Sequence, residues 1–266
     1  MLKDITIGQY FPGTSIVHKL DPRVKIIIVA LFIASLFFVT SFIPYIFIVA
    51  FIGIVISIAK LPVKFIIKGL KPLMFIILIT FAINLFMTKG EVLAELGPLV
   101  ITKEGLRQSV FMALRLIFLI TGTSLLTLTT SPIALTDGIE RLLSPFSRIG
   151  LPAHELAMMM TIALRFIPTL LEETDKIMKA QMARGADFES GNILSRAKNL
   201  VPLLVPLFIN AFRRADELAT AMEARCYRGG DGRTRLNELR FVRRDYAVLT
   251  GMTIFFAAII SSRYIW

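Results

Sequence analysis

Ile26–Val39 reads IIIVALFIASLFFV and Tyr45–Ala59 reads YIFIVAFIGIVISIA, with only Thr40-Ser41-Phe42-Ile43-Pro44 between them. Neither run carries a charge. Two such runs joined by five residues read as two antiparallel membrane spans with a tight turn, and at 14 and 15 residues they barely cover a hydrocarbon core of roughly 30 Å. Three more apolar runs follow: Pro72–Met87, Ser109–Leu128 and Tyr246–Ile260. With 55% hydrophobic residues and a mean hydropathy of +0.72, the 266-residue chain is no ordinary soluble domain. The fold class expected is all-α: a polytopic membrane protein of about five transmembrane helices plus long amphipathic helices outside the spans.

Lys19, Arg23 and Lys25 precede the first run, and Lys60, Lys64, Lys68 and Lys71 mark a loop after the second. The positive-inside tendency places both groups, and hence the N-terminus, in the cytoplasm. Four spans then return the chain to that side near Ser131, and the fifth leaves the C-terminus outside. Asp4 and a polar stretch reaching Arg23 precede the first run, so no signal peptide is expected and that run stays as a span. The net charge of +11 sits largely beside apolar runs, and no RNA or DNA signature accompanies it, so no nucleic-acid partner is expected. The single cysteine, Cys226, excludes an internal disulfide framework.

Residues 131–245 read differently, mixing 17 Lys and Arg and 14 Asp and Glu with apolar stripes, as amphipathic helices do. The expected organisation is therefore a membrane region over 1–130, a cytoplasmic or interfacial region over 131–245 and a C-terminal transmembrane helix in 246–266. Helices are expected near 133–148, 153–183 and 193–225, kinked at Pro168, Pro202 and Pro206. Leu156–Leu171 holds one charge, Arg165, and Asn199–Phe212 holds none, so either could dip into the bilayer. If both crossed, the two related motifs described next would lie on opposite sides, so both are placed on the cytoplasmic side.

Gln181-Met182-Ala183-Arg184-Gly185 and Met222-Glu223-Ala224-Arg225-Cys226 stand 41 residues apart. At that offset Asp175 matches Asp216, Ala180 matches Ala221, Ala183 matches Ala224 and Arg184 matches Arg225. Each Arg follows a small Ala at the end of an acidic-then-apolar helix and precedes a break. A small residue lets another surface approach the backbone, and a guanidinium fork bonds carboxylates or carbonyls in a fixed direction. A basic residue in the last turn before Gly also offsets the helix dipole, worth about 0.3–1 kcal/mol, which suffices to explain one such Arg. Two in parallel contexts point to two similar partners.

On these motifs, and on Ser15–Lys25 (SIVHKLDPRVK), the chain resembles the transmembrane T component, EcfT, of energy-coupling factor transporters, which are ABC-class vitamin and metal importers of bacteria and archaea. The resemblance covers nearly the whole chain. Ala183-Arg184-Gly185 matches the family's Ala-Arg-Gly pattern, whereas Ala224-Arg225-Cys226 departs from it at the third position. It implies that these six residues, at the ends of long cytoplasmic coupling helices, dock two ATPase subunits, EcfA-like and EcfA′-like, which bind ATP and Mg. It implies no cofactor on this chain. It also implies a bilayer-embedded substrate-binding S component, for which Met158, Met159, Leu203 and Leu207 form the expected surface, in a multi-pass protein of a bacterial or archaeal cell membrane. Overall similarity favours a general vitamin module over one dedicated to cobalt, nickel or biotin.

Read without the resemblance, Ser15–Lys25 needs no function: Asp21 fits a helix N-cap and Pro22 the first helical position. Arg115 inside the fourth run is expected to bond a backbone carbonyl or sit at an interface, and Asn84 to join two helices. Met158-Met159-Met160, with Met178 and Met182, suits an adaptable surface. No phosphate loop, nucleophile elbow or buried acid pair occurs, and His154-Glu155 lacks the second histidine of a zinc-protease helix, so neither catalysis nor a metal site is expected. The rival readings are a self-contained transporter or channel, against which the absence of acidic residues in the spans counts, and a membrane-bound enzyme.

Overall fold

The computed structural model describes residues 10–96, 99–150, 152–188, 192–229 and 239–262. Nine α-helices and one strand pair follow in chain order among the described residues, besides 3₁₀ turns at Lys71–Leu73 and Ser144–Ile149: α1 (Pro22–Phe38), α2 (Ile43–Ala59), α3 (Val63–Leu70), α4 (Met74–Met87), β1 (Val92–Leu96), β2 (Leu99–Thr102), α5 (Lys103–Thr129), α6 (Pro132–Leu143), α7 (Ala153–Ala183), α8 (Ile193–Ala224) and α9 (Arg243–Ser261). By length and composition alone, Val63–Met87, α5, α7 and α9 could each cross a membrane, and α2 is a shorter apolar helix. Two compact units result, one of residues 8–139 with 238–266 and one of residues 140–237.

In the first of these units, Asp21 caps α1 by accepting the Arg23 N–H at 2.9 Å, and Pro22 opens the helix. The Arg23 guanidinium returns to the same carboxylate at 2.7 Å, stacks on Phe241 and donates to the Leu239 carbonyl. Burial pushes the Asp21 carboxyl up, but hydrogen bonds from the Arg23 side chain and backbone carry it below the usual carboxylate range. Asp245, wholly buried, accepts from the Val242 N–H at the start of α9 and from the Asp21 N–H. One carboxylate so fixes the start of α9 to the start of α1, which is why α9 packs with α1. Lys25 is buried and donates to the His18 and Thr129 carbonyls, the latter among the orphan carbonyls ending α5. His18 Nε2–H donates to the Phe11 carbonyl and its Nδ1 accepts from the Ser15 hydroxyl; burial holds its pKa below the ordinary value. The N-terminal segment is a polar clasp.

Phe32, Leu36, Ile48, Leu128 and Phe256 form the sealed centre of this unit. Gly122 of α5 faces the Phe32 ring so closely that a Cβ there would lie 2.2 Å from a ring carbon. Small residues allow helices this approach where apolar surface alone gives no drive to associate in lipid. Arg115 donates to the Val39 carbonyl at 3.0 Å, beyond the end of α1, and lies over Phe111 and Phe37. A backbone-carbonyl role was expected, and it is what the structure shows.

Three expectations change. The stretch holding Lys64 and Lys68 is not a loop: Lys60 ends α2 in a left-handed conformation (φ 52), and α3 then forms and runs through a 3₁₀ turn into α4. Asn84 does not join helices, since its amide donates to the Thr80 carbonyl of its own helix. The β1–β2 hairpin, antiparallel with Glu95 opposite Val100, was not expected from the sequence.

The second unit is built on α7 and α8. Both continue as helices through Pro168, Pro202 and Pro206. A proline lacks the N–H that would bond four residues back, so Pro206 frees the Pro202 carbonyl. Gln181 of α7 supplies the missing donor, its Nε2 reaching that oxygen at 3.3 Å.

Candidate docking site

The two arginine motifs end α7 and α8 in the same way. At the first, the Gly185 N–H donates to the Met182 carbonyl and the Ala186 N–H to the Gln181 carbonyl, both at 3.0 Å. At the second, Cys226 donates to Glu223 at 2.9 Å and Tyr227 to Met222 at 3.0 Å. Each pair is the double closure of a Schellman cap, which needs a left-handed residue directly after the last helical turn. Gly185 takes that position at φ 87 and Cys226 at φ 54. The departure from Gly at the third position of the second motif therefore leaves the cap geometry in place, with a side chain where glycine is preferred. Open space surrounds Gly185, so a Cβ there would touch nothing.

Ala183, Arg184, Gly185, Ala224, Arg225 and Cys226 are all exposed. Among the described residues, neither Arg184 nor Arg225 has a side-chain hydrogen bond or ion pair. Each is a guanidinium held out at a helix tip beside a small residue.

Contacts between α7 and α8 move in opposite directions along the two helices. His154 and Met158 meet Tyr227, Glu173 forms an ion pair with Arg214, Gln181 meets Pro202, and Asp187 meets Asn199. The pair is antiparallel. Glu173 and Arg214 are also 41 positions apart, so the ion pair joins equivalent positions of the repeat. Met158 and Asn199 are equivalent in the same sense, as are Ala186 and Tyr227, so the Met158–Tyr227 contact has its near counterpart in Asn199 with Asp187. Equivalent helices that meet in this way are related by an approximate two-fold axis through Glu173 and Arg214. Each motif arginine lies 11 residues beyond its member of that pair. At 1.5 Å per residue, Arg184 and Arg225 point from opposite ends of the pair, roughly 33 Å apart.

The four residues expected at an S-component surface are not placed alike. Met159 is exposed, Met158 is half-buried beneath the Tyr227 hydroxyl, Leu207 is half-buried, and Leu203 is buried at 6% exposure. The outward face of α8 is the one a position later: Leu200, Val201, Leu204, Val205, Phe208 and Ile209 are exposed, reaching Phe212 at 69%. Their recurrence at i, i+1, i+4 and i+5 makes a continuous apolar strip along the helix. A run with apolar residues on every side carries little phase information, so its sequence does not say which of them face outward. Among the described residues no three His, Cys, Asp or Glu side chains gather as metal ligands.

The profile of a family described as cobalt transport protein (CbiQ) matches residues 13–236, which includes both motifs. The chain is 63% identical over 265 residues to the energy-coupling factor transporter transmembrane protein EcfT of Thermosediminibacter oceani, covering all of both chains. It belongs to that family. Identity to the EcfT protein of Clostridium kluyveri is 63% over 268 residues, covering 100% of this chain and 99% of the relative. To that of Bacillus subtilis it is 50% over 255 residues, covering 96% of each. As a member of this EcfT family the chain is a multi-pass, all-α membrane protein and a transmembrane subunit of a transporter.

Proposed function

We propose that the chain is the scaffold of an energy-coupling factor importer, whose two arginine-ended helices each seat in one of two ATPase subunits. The observation that carries this reading is the pair of identically capped, exposed arginine tips facing away from each other across an approximate two-fold. Tips roughly 33 Å apart suit two bodies better than one groove, and the two-fold suits partners that resemble each other. ATP and Mg are bound, and ATP hydrolysed, on those partners. Closure of the ATPase pair on ATP moves the two tips, and the α7–α8 pair transmits that motion to a substrate-binding S component. The apolar strip from Leu200 to Phe212, with Met159, gives that component a surface compatible with bilayer depth. For both tips to meet cytoplasmic ATPases, the pair lies along the cytoplasmic face with both motifs on that side. Substrate choice then belongs to the S component, in a general vitamin module.

The test is co-purification from cells that also express the genomically neighbouring ATPase and S-component genes, through a tag on this chain. Two ATPases recovered with the wild type and lost with the double variant Arg184→Ala, Arg225→Ala support the reading. Normal recovery and uptake by the double variant would sink it.

A further inference from the structure

The approximate two-fold breaks at the arginine tips themselves. Tyr227 is the residue whose N–H completes the second cap, and its hydroxyl reaches back to the start of α7, where its one proton has two acceptors within reach, His154 Nε2 at 3.4 Å and the Met158 sulfur at 3.1 Å. On its other side the His154 ring is fixed through Nδ1, 3.0 Å from the Glu140 carboxylate. The His154 and Glu140 side chains are 26% and 11% exposed, so water competes weakly for these bonds. A side-chain relay, Glu140 to His154 to Tyr227, therefore holds the cap that carries Arg225. At the equivalent place beside Arg184 stands Ala186, whose methyl group cannot enter such a relay. That end is tied by a side chain from the opposite helix, Asn199, whose amide donates to the Asp187 backbone carbonyl at 2.7 Å in an exposed position.

We propose that Glu140, His154 and Tyr227 are positioning residues that pre-set the Arg225 tip for its ATPase, while the Arg184 tip is set on docking. The proposal rests on the reading that both arginines dock ATPases. Pre-setting the turn that carries a docking side chain lessens the ordering loss on binding, so the Arg225 tip is the one that holds an ATPase by itself. The relay serves Arg225 through the cap: Tyr227 is two residues beyond Arg225, and fixing its ring fixes the turn from which the guanidinium projects.

The experiment places Tyr227→Phe, which keeps the ring and removes the hydroxyl, in two single-tip backgrounds of the full complex and measures ATPase recovered per tagged chain. With Arg184→Ala, only the Arg225 tip remains, and Tyr227→Phe should lower recovery about three- to tenfold, the scale of one lost hydrogen bond. With Arg225→Ala, only the Arg184 tip remains, and Tyr227→Phe should change nothing. His154→Gln should follow the same pattern. Equal losses in both backgrounds would mean general destabilisation and overturn the proposal, as would no loss with Arg184→Ala. Complete loss of ATPase with Arg184→Ala alone would also overturn it, since a pre-set Arg225 tip should hold an ATPase unaided. Retention of ATPases by the double arginine variant would instead refute the docking reading on which the proposal stands.

Discussion

Cys226→Gly and Gly185→Ala are mirror substitutions at equivalent cap positions, and the fold demands that they move stability in opposite directions. Cys226 holds φ 54 although it carries a side chain, and a non-glycine residue in that region is strained by about 1–2 kcal/mol. Glycine relieves the strain but loses about 0.5–1 kcal/mol through the greater freedom it gives the unfolded chain. The net expected gain for Cys226→Gly is about 0.5–1 kcal/mol. Cys226 is exposed, so losing the thiol leaves no cavity to offset that gain. At Gly185, φ is 87 and a Cβ would meet nothing, so Gly185→Ala isolates the backbone effect and should lose about 1 kcal/mol. For a chain of this length a change of 1 kcal/mol moves the melting temperature by roughly 2–4 °C. Far-UV circular dichroism during heating in one detergent should show Cys226→Gly melting about 1–4 °C above the wild type and Gly185→Ala melting below it by about 2–4 °C. A neutral Gly185→Ala, or a Cys226→Gly that melts early, would refute the claim that both motifs are Schellman caps.

Other expectations concern sidedness, packing and pH. Cys226 is the only cysteine and is exposed, so a membrane-impermeant maleimide should label it in inside-out vesicles and not in intact cells. A Cys226→Ser, Arg184→Cys chain should label from the same side, and opposite sidedness of the two tips would show an α7–α8 pair that crosses the bilayer. Gly122→Ala should destabilise by about 1–3 kcal/mol because its Cβ would overlap Phe32, and Phe32→Leu should recover part of the loss; a lower melting temperature, partly restored in the double variant, checks both. Asp21 and His18 both have pKa values lowered in the fold, so both contribute stability that is present above their ordinary values of 3.8 and 6.5 and lost on acidification. The melting temperature should begin to fall as pH drops below 6.5 and fall further as Asp21 protonates; His18→Gln should remove only the first part of that loss.

The local sequence by itself determined much of this protein. An unbroken apolar run such as Ile26–Val39 leaves backbone groups away from water no partner but their own helix, so it specifies a helix whatever surrounds it. Asp21-Pro22 starts α1 and Ala183-Arg184-Gly185 ends α7 through bonds made within a few residues, and these too are readable in one dimension. The family resemblance was legible for the same reason, since short motifs at fixed spacing carry it. What only the tertiary structure decided involves residues far apart in sequence. Asp245 gathers α9 to α1, Arg115 finds Val39, Gln181 finds the carbonyl freed by Pro206, and Glu173 meets Arg214 so that two tips face apart across a two-fold. Leu203 turned inward and Leu204 outward for the same reason: where every side of a helix is apolar, hydrophobicity cannot choose its facing side, and the choice falls to the helix that packs against it.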